Sequence, residues 1–243
     1  MDAPYRKTKL APESLAGIEA FRDLTQAGRA EILNLCEGRV YAKDREILRY
    51  GDARQDVFFI LSGHVSATMY APSGRQITFQ ILAPGGMFGE LAAIDEAARV
   101  ASVVAIEEVF LARMSGAQFM DALTRNPSLA KATFARLTAL IRFLCNRVYE
   151  LHALPVPQRI QSEILRLAEA EGRLETPNTA VVQTPPTHSE IASRVGTHRE
   201  AVSRELTKLA RMGVVEKRRG ELRISDLRSL RSLLEQGDGT VDP

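Results

Sequence analysis

Cysteine is scarce in this sequence. Cys36 and Cys145 are the only two, they stand far apart, and neither belongs to a C-x-x-C pair. That excludes a disulfide framework, a zinc site and a cysteine-ligated iron–sulfur cluster. Each cysteine reads as a small buried hydrophobe. Long apolar runs are missing as well, and none reaches the length needed to cross a bilayer. The opening MDAPYRKTKLAPE lacks the apolar core of a secretory signal, so a cytoplasmic protein with no membrane partner is expected. Catalytic dyads, metal constellations and Walker loops are also absent, so the chain does not read as an enzyme, and no metal is expected. His64 follows Gly63 in a turn between apolar runs, the place of a surface histidine rather than a haem ligand.

What is present supports ordinary globular folding. Hydrophobic residues make up 45% and charged residues 26% of the 243 positions, enough for one large domain or two small ones. The net charge is only +2, but it is unevenly placed. Between Thr187 and Arg231 there are eleven Lys and Arg against six Asp and Glu, an excess that suits a polyanion.

Residues 1–17 read as a loose arm. GIEAFRDLTQAGRAEILNLCEGRV then reads as short amphipathic helices, with Leu24, Ile32, Leu33 and Leu35 available for a core. From Tyr41 to Arg113 the period shortens to runs such as VFFILSGHVSATMY and ASVVAIEEVFLARM. Gly51, Gly63, Pro72-Ser73-Gly74 and Pro84-Gly85-Gly86 punctuate them. Many short strands at regular spacing mean a sandwich, jelly roll or small barrel. Within this region FGELAAIDEAARVASVVA sets Glu90 and Arg99 among small apolar residues. Two opposite charges in what reads as a barrel wall either pair with each other or hold something polar inside.

The next segment, from Pro127, runs to Pro155 without Gly or Pro. Phe134, Leu137, Ile141, Leu144, Val148 and Leu151 recur at spacings of 3, 4, 3, 4 and 3, an a/d seam that predicts homodimerisation through residues 127–151. The helix would be about 38 Å long. PVPQR then reads as a hinge, and QRIQSEILRLAEAEG as an amphipathic helix ended by Gly172, followed by a polar loop.

PTHSEIASRVGTHREAVSRELTKLARMG carries two capping boxes, Thr187 with Glu190 and Thr197 with Glu200, separated by Gly196. Ile191, Val195, Val202, Leu206 and Leu209 supply the inner faces. A basic hairpin, GVVEKRRGELRIS, turning near Arg219-Gly220, completes a winged helix-turn-helix. The second helix presents Arg199, Glu200, Ser203 and Arg204 at the end that enters the major groove. Arg bonds guanine O6 and N7 bidentately, and Glu accepts from cytosine N4.

THREAVSRELTKL resembles the recognition helix of the catabolite activator (cAMP receptor) and fumarate–nitrate regulator superfamily, including its Arg-Glu-x-x-x-Arg pattern. The resemblance covers about Ile18 to Leu234. VFFILSGHV looks like that family's barrel signature, and GELAAIDEAARVASVVA like its phosphate-binding cassette. It implies an α+β chain: an N-terminal jelly-roll cyclic-nucleotide-binding domain over residues 18–126, a dimerisation helix and hinge over 127–155, and a winged helix-turn-helix over 156–243. Glu90 would accept from the ribose 2′-hydroxyl and Arg99 would pair with the cyclic phosphate, with backbone groups after Gly89 in support. Phe79, Leu91, Val100 and Ala101 would complete the cassette.

Two departures bear on the base. Val100 stands where the family often has Ser, Thr or Ala. Leu144 and Cys145 stand where cAMP receptors carry a Thr-Ser pair, leaving Asn146 and Arg147 as possible substitutes. The resemblance therefore implies cAMP, with cGMP open, as allosteric ligand of a transcription regulator, and alternatively a ligand-independent or other-effector regulator. It further implies a palindromic, TGTGA-like double-stranded operator contacted by His188, Thr197, His198, Arg199, Glu200, Ser203, Arg204, Lys217 and Arg218, and RNA polymerase as a partner.

Overall fold

The computed structural model describes residues 5–70, 76–170, 172–218 and 220–235. The chain divides into two compact units, Met1–Arg142 and Phe143–Pro243. The first holds β1 (Arg6–Thr8), two short 3₁₀ turns, α1 (Gln26–Leu35), β2 (Glu37–Tyr41), β3 (Glu46–Leu48), β4 (Val57–Ser62), β5 (Val65–Tyr70), β6 (Gln76–Leu82) and β7 (Met87–Phe88). It continues with α2 (Glu90–Asp95), β8 (Ser102–Ala105), β9 (Val109–Met114), α3 (Gly116–Arg125) and the start of α4 (Pro127–Ala153).

Among the described residues nine strands form two antiparallel sheets of order β1-β2-β9-β4-β7 and β3-β8-β5-β6, a jelly roll. The continuous apolar run of β4 follows from this arrangement, because successive side chains face opposite ways. Phe58 and Ile60 join Tyr41, Val65, Leu82, Val103 and Leu111 in the core between the sheets. Val57 and Phe59 point the other way, into a second core with Phe21, Ile32, Met87, Phe119 and Leu129 from the flanking helices. A strand buried on both faces has no polar position to spare.

The second unit holds the end of α4, then α5 (Val156–Ala170), β10 (Arg173–Thr176), β11 (Thr179–Val182), α6 (His188–Val195), α7 (Arg199–Arg211), β12 (Val215–Arg218), β13 (Glu221–Ile224) and α8 (Leu227–Glu235). Its sheet has the order β10-β11-β13-β12. Ile160, Ile164, Val182, Ile191, Val202 and Leu209 lie in its core. Among the described residues no helix is long and apolar enough to cross a membrane, and no cluster of metal-ligating side chains forms.

Several expectations change. The described part of the arm is not loose: β1 pairs with β2, and Leu15 is buried. The stretch Glu37–Val40, expected in a helix, begins β2, because Gly38 faces Thr8 and Phe110 where a Cβ would sit 2.4 Å from the Thr8 carbonyl. The loop after Gly172 contains β10 and β11, and α5 starts at Val156, so the hinge is only Leu154 and Pro155. Cys145 is exposed, not buried, while half-buried Cys36 has its thiol pushed up to about 12 by burial. The capping box at Thr187 forms, with Glu190 accepting from the Thr187 N–H at 2.6 Å. The one at Thr197 does not. The left-handed turn at Gly196 sends the Thr197 N–H back to the Ala192 carbonyl, and His198 becomes the N-cap of α7. The wing forms as β12 and β13; Arg219 at its turn, like Pro72-Ser73-Gly74, lies outside the described residues.

Gly196 has φ +66, and a Cβ there would lie 3.1 Å from Leu151 Cδ2. Gly196→Ala is expected to destabilise the second unit by about 1–2 kcal/mol, read as a lower urea midpoint with an unchanged slope.

Candidate functional site

Glu90 and Arg99 do not lie in the barrel wall. Glu90 opens α2, and Arg99 sits between α2 and β8, just before the bend at Val100 and Ala101. Both are 3% exposed, yet they do not pair with each other. Glu90 Oε1 is 3.3 Å from Arg136 Nε on α4. Arg99 donates from Nη1 to the Gly89 carbonyl and from Nη2 to the Asp56 carbonyl, each at 2.7 Å. Among the described residues its Nε has no hydrogen-bond partner, as is also true of the Nε of Arg113, Arg136, Arg159 and Arg194. The carboxylate of Asp56 is occupied by Arg113 Nη2, so Asp56 offers Arg99 only its backbone oxygen.

Local backbone geometry brings these groups together. Gly89 has φ +87, which only glycine adopts without strain, and a Cβ there would lie 2.6 Å from the Asp56 carbonyl and 3.0 Å from Arg99 Nη1. The Arg99 backbone is itself clamped, its N–H to Asp52 and its carbonyl to Gly51. Burial pulls the Arg99 pKa below the ordinary arginine value, and the charges of Asp56, Asp52 and Glu90 oppose that shift. The guanidinium remains charged. Among the described residues it is thus a buried cation held by two dipoles and by no carboxylate, an arrangement with room for an anionic partner.

Leu91 and Ala101 are half-buried, Phe79 is 36% exposed on β6, and Val100 is 56% exposed beside Arg99. Leu144, Cys145 and Asn146 belong to the part of α4 counted with the second unit, and all three are exposed. Arg147 is not available as a base contact. Its guanidinium binds Glu150 at 2.9 Å, Glu163 at 3.3 Å and the Arg194 carbonyl at 2.9 Å. Three residues of this region went unread in the sequence: Arg136, Asp56 and Arg113. The signal for Arg136 was a second stripe along α4. Arg136, Leu140, Phe143, Arg147 and Glu150 are all half-buried and recur at heptad spacing, beside the exposed seam of Phe134, Ile141, Leu144, Val148 and Leu151.

In the second unit the expected nucleic-acid residues lie on α6, α7, the turn between them and β12. Arg199 and Glu200 are exposed in the first turn of α7, with Arg204 exposed and Ser203 half-buried one turn on. Glu205, on the inner side, is buried and accepts from Gln161 Nε2 at 2.6 Å. Arg199, His188, Lys217 and Arg218 line one groove of about 590 Å³ between the helix pair and the wing. Ser203, Arg204, Lys208 and Arg211 line another of about 610 Å³ along α7. Thr197 and His198 form the turn between the helices. Arg218 is engaged by Glu216 at 3.1 Å, an exposed pair of little net worth. The helix pair is anchored from behind: Arg147 on α4 and Arg159 on α5 donate to the Arg194 and Val195 carbonyls that end α6.

A jelly roll with a buried arginine held by carbonyls, in one chain with a basic winged helix-turn-helix, defines a two-domain DNA-binding protein. The chain matches the model of the cyclic nucleotide-binding domain over residues 38–126 and that of the Crp-like helix-turn-helix domain over residues 158–233. The cyclic AMP receptor protein of Thermus thermophilus is 30% identical over 189 residues, covering 75% of this chain and 81% of that protein. A CRP-like cAMP-activated global transcriptional regulator of Mycobacterium tuberculosis is 27% identical over 214 residues, covering 88% and 95%. The solved structure of a CooA mutant from Carboxydothermus hydrogenoformans shares the fold, with a TM-score of 0.75 over 94% of this chain and 98% of that one at 21% identity. The chain belongs to the Crp/Fnr superfamily of DNA-binding transcription regulators.

The ion pair across α2 and α4 gives a test of this geometry. Arg136→Met leaves Glu90 buried without its cation, and the first unit should lose about 3 kcal/mol. The double variant Glu90→Gln with Arg136→Met should regain most of that loss. Urea unfolding of the four members of this cycle measures the coupling.

Proposed function

We propose that this protein is a cytoplasmic, cyclic-nucleotide-responsive homodimer that binds a palindromic operator and acts on RNA polymerase. The observation that carries the ligand is Arg99: buried, charged, and held by two carbonyls with no carboxylate partner among the described residues. A cyclic phosphate supplies the missing anion. The ribose 2′-hydroxyl donates to Glu90, whose other engagement is Arg136. The two relatives named for cAMP support cAMP as that nucleotide. Leu144 and Cys145 in place of a Thr-Ser pair keep cGMP open.

The exposed seam of α4 supports the dimer. Phe134, Ile141, Val148 and Leu151 are 68%, 61%, 57% and 49% exposed, far more apolar surface than a solvated helix carries. In the dimer Arg199, Glu200 and Arg204 of each copy read TGTGA-like half-sites about 34 Å apart, while Lys217 and Arg218 hold phosphates. Nucleotide binding favours the dimer geometry with that spacing. By linkage, the operator must then tighten nucleotide binding by the same factor.

Calorimetric titration with cAMP and with cGMP tests the ligand. Arg99→Ala should abolish binding and Glu90→Ala should weaken it; unchanged affinity in the Arg99 variant overturns the assignment. Ile141→Glu buries a carboxylate in the seam and should give monomers by sedimentation. Operator titrations with and without nucleotide test the switch, and equal affinity in both rules it out.

A further inference from the structure

His188 stands in the first turn of α6, half-buried, with its Nδ1 2.7 Å from Ser203 Oγ on α7. Ser203 has one hydroxyl proton, and it is directed to the Arg199 carbonyl one turn back, at 3.1 Å. With that proton so placed, Ser203 accepts from Nδ1, and Nε2 is then the nitrogen that gains and loses the proton. In the neutral ring it is an acceptor, and in the protonated ring it is a donor.

The surroundings oppose the proton while the groove is without an anion. Arg199 from α7 and Lys217 and Arg218 from β12 line the same groove as His188, together with Glu221 from β13. Glu221 accepts from Gln183 at 3.1 Å, and Glu190 on α6 is turned to the Thr187 N–H. Neither carboxylate is a close partner of the ring. Burial first, then the charges of Lys217 and Arg199, hold the His188 pKa below its ordinary 6.5. A phosphodiester placed among these cations reverses the balance. It neutralises the positive field and accepts from a protonated Nε2.

We propose that His188 is a proton-linked phosphate ligand, which takes up a proton when the DNA backbone enters the groove between α6, α7 and the wing. This rests on the reading of that surface as the DNA-contacting face. The sign follows from the order of the two pKa values. The DNA-bound value lies above the free value, so the extra affinity is fully present below the free value and is lost as pH rises through the bound one. Between them the dissociation constant changes by at most about tenfold per pH unit for each His188 engaged. Ser203 positions the ring and, through it, ties α6 to the recognition helix.

The test is a fluorescence titration of the full-length protein, in one buffer composition with saturating cAMP, from pH 5.5 to 8.5. Two duplexes are compared, one carrying a TGTGA palindrome and one scrambled. Both should bind more tightly as pH falls, because a phosphate contact carries no sequence information. His188→Gln keeps a donor but cannot titrate, and should flatten both curves. His152→Gln should leave them as in the wild type. The His188 ring proton resonances should report a pKa below 6.5 in the free protein and a higher one with either duplex. A flat wild-type curve, a slope that survives in His188→Gln, or a pKa that DNA leaves unmoved overturns the proposal and leaves the DNA reading intact. A protein that binds neither duplex at any pH defeats both.

Discussion

A buried guanidinium with no carboxylate is the constraint on which the first unit is built. Arg99 and Arg136 make the contrast. Arg136 lies against a carboxylate, Glu90 Oε1, 3.3 Å from its Nε. Arg99 meets only the carbonyls of Gly89 and Asp56. To aim those two oxygens at one side chain, the chain needs a left-handed residue at position 89, a bend before β8, and a partner elsewhere for the Asp56 carboxylate. Arg113 on β9 is that partner. If Asp56 turned its carboxylate to Arg99 instead, the positive charge would be quenched and the site would have no call for an anion.

The sequence revealed the architecture more readily than the wiring. Alternation and turn residues exposed the strands of the jelly roll, and the Thr187 capping box with the Gly196 turn exposed the helix pair. Elements whose stability comes from tertiary packing were not legible. Helix α3 has a good capping box at Ser115 and Gln118, but it lies in the lee of the strand pattern and is short. Strand β11 is buried along its whole length, yet TAVV is too short to tell from loop by periodicity. Helix α8 has Leu227 and Leu230 buried against the winged core, a face that means little until that core is known.

The site was half legible for the same reason. Glu90 and Arg99 stand out as charges in an apolar run, a signal internal to one segment. Arg136 and Arg113 act on that segment from far along the chain, and nothing near them in sequence marks the contact. The two stripes of α4 show the limit well. An apolar heptad announces a face that seeks a partner. The half-buried stripe beside it mixes Arg, Leu, Phe and Glu, and it reads as an ordinary solvated face until its partners are in place. The failed cap at Thr197 is a smaller case: the tight turn claims the amide before the helix can.

The cluster behind the helix pair has a consequence for how the protein behaves as ionic strength rises. Glu163 and Glu150 sit among Arg147, Arg166 and Arg194, with the Glu163 side chain only 4% exposed. Mobile ions do not reach between such groups, so the cluster is screened far less than exposed charges are. Arg199, Arg204, Lys217 and Arg218 all face solvent, and contacts of that kind to phosphate weaken steeply as counterions compete. The same side-chain chemistry thus serves two ends that salt separates. Added electrolyte strips the polyanion from the outer surface and leaves the inner cluster, and with it the mutual setting of α4, α5 and α6, in place.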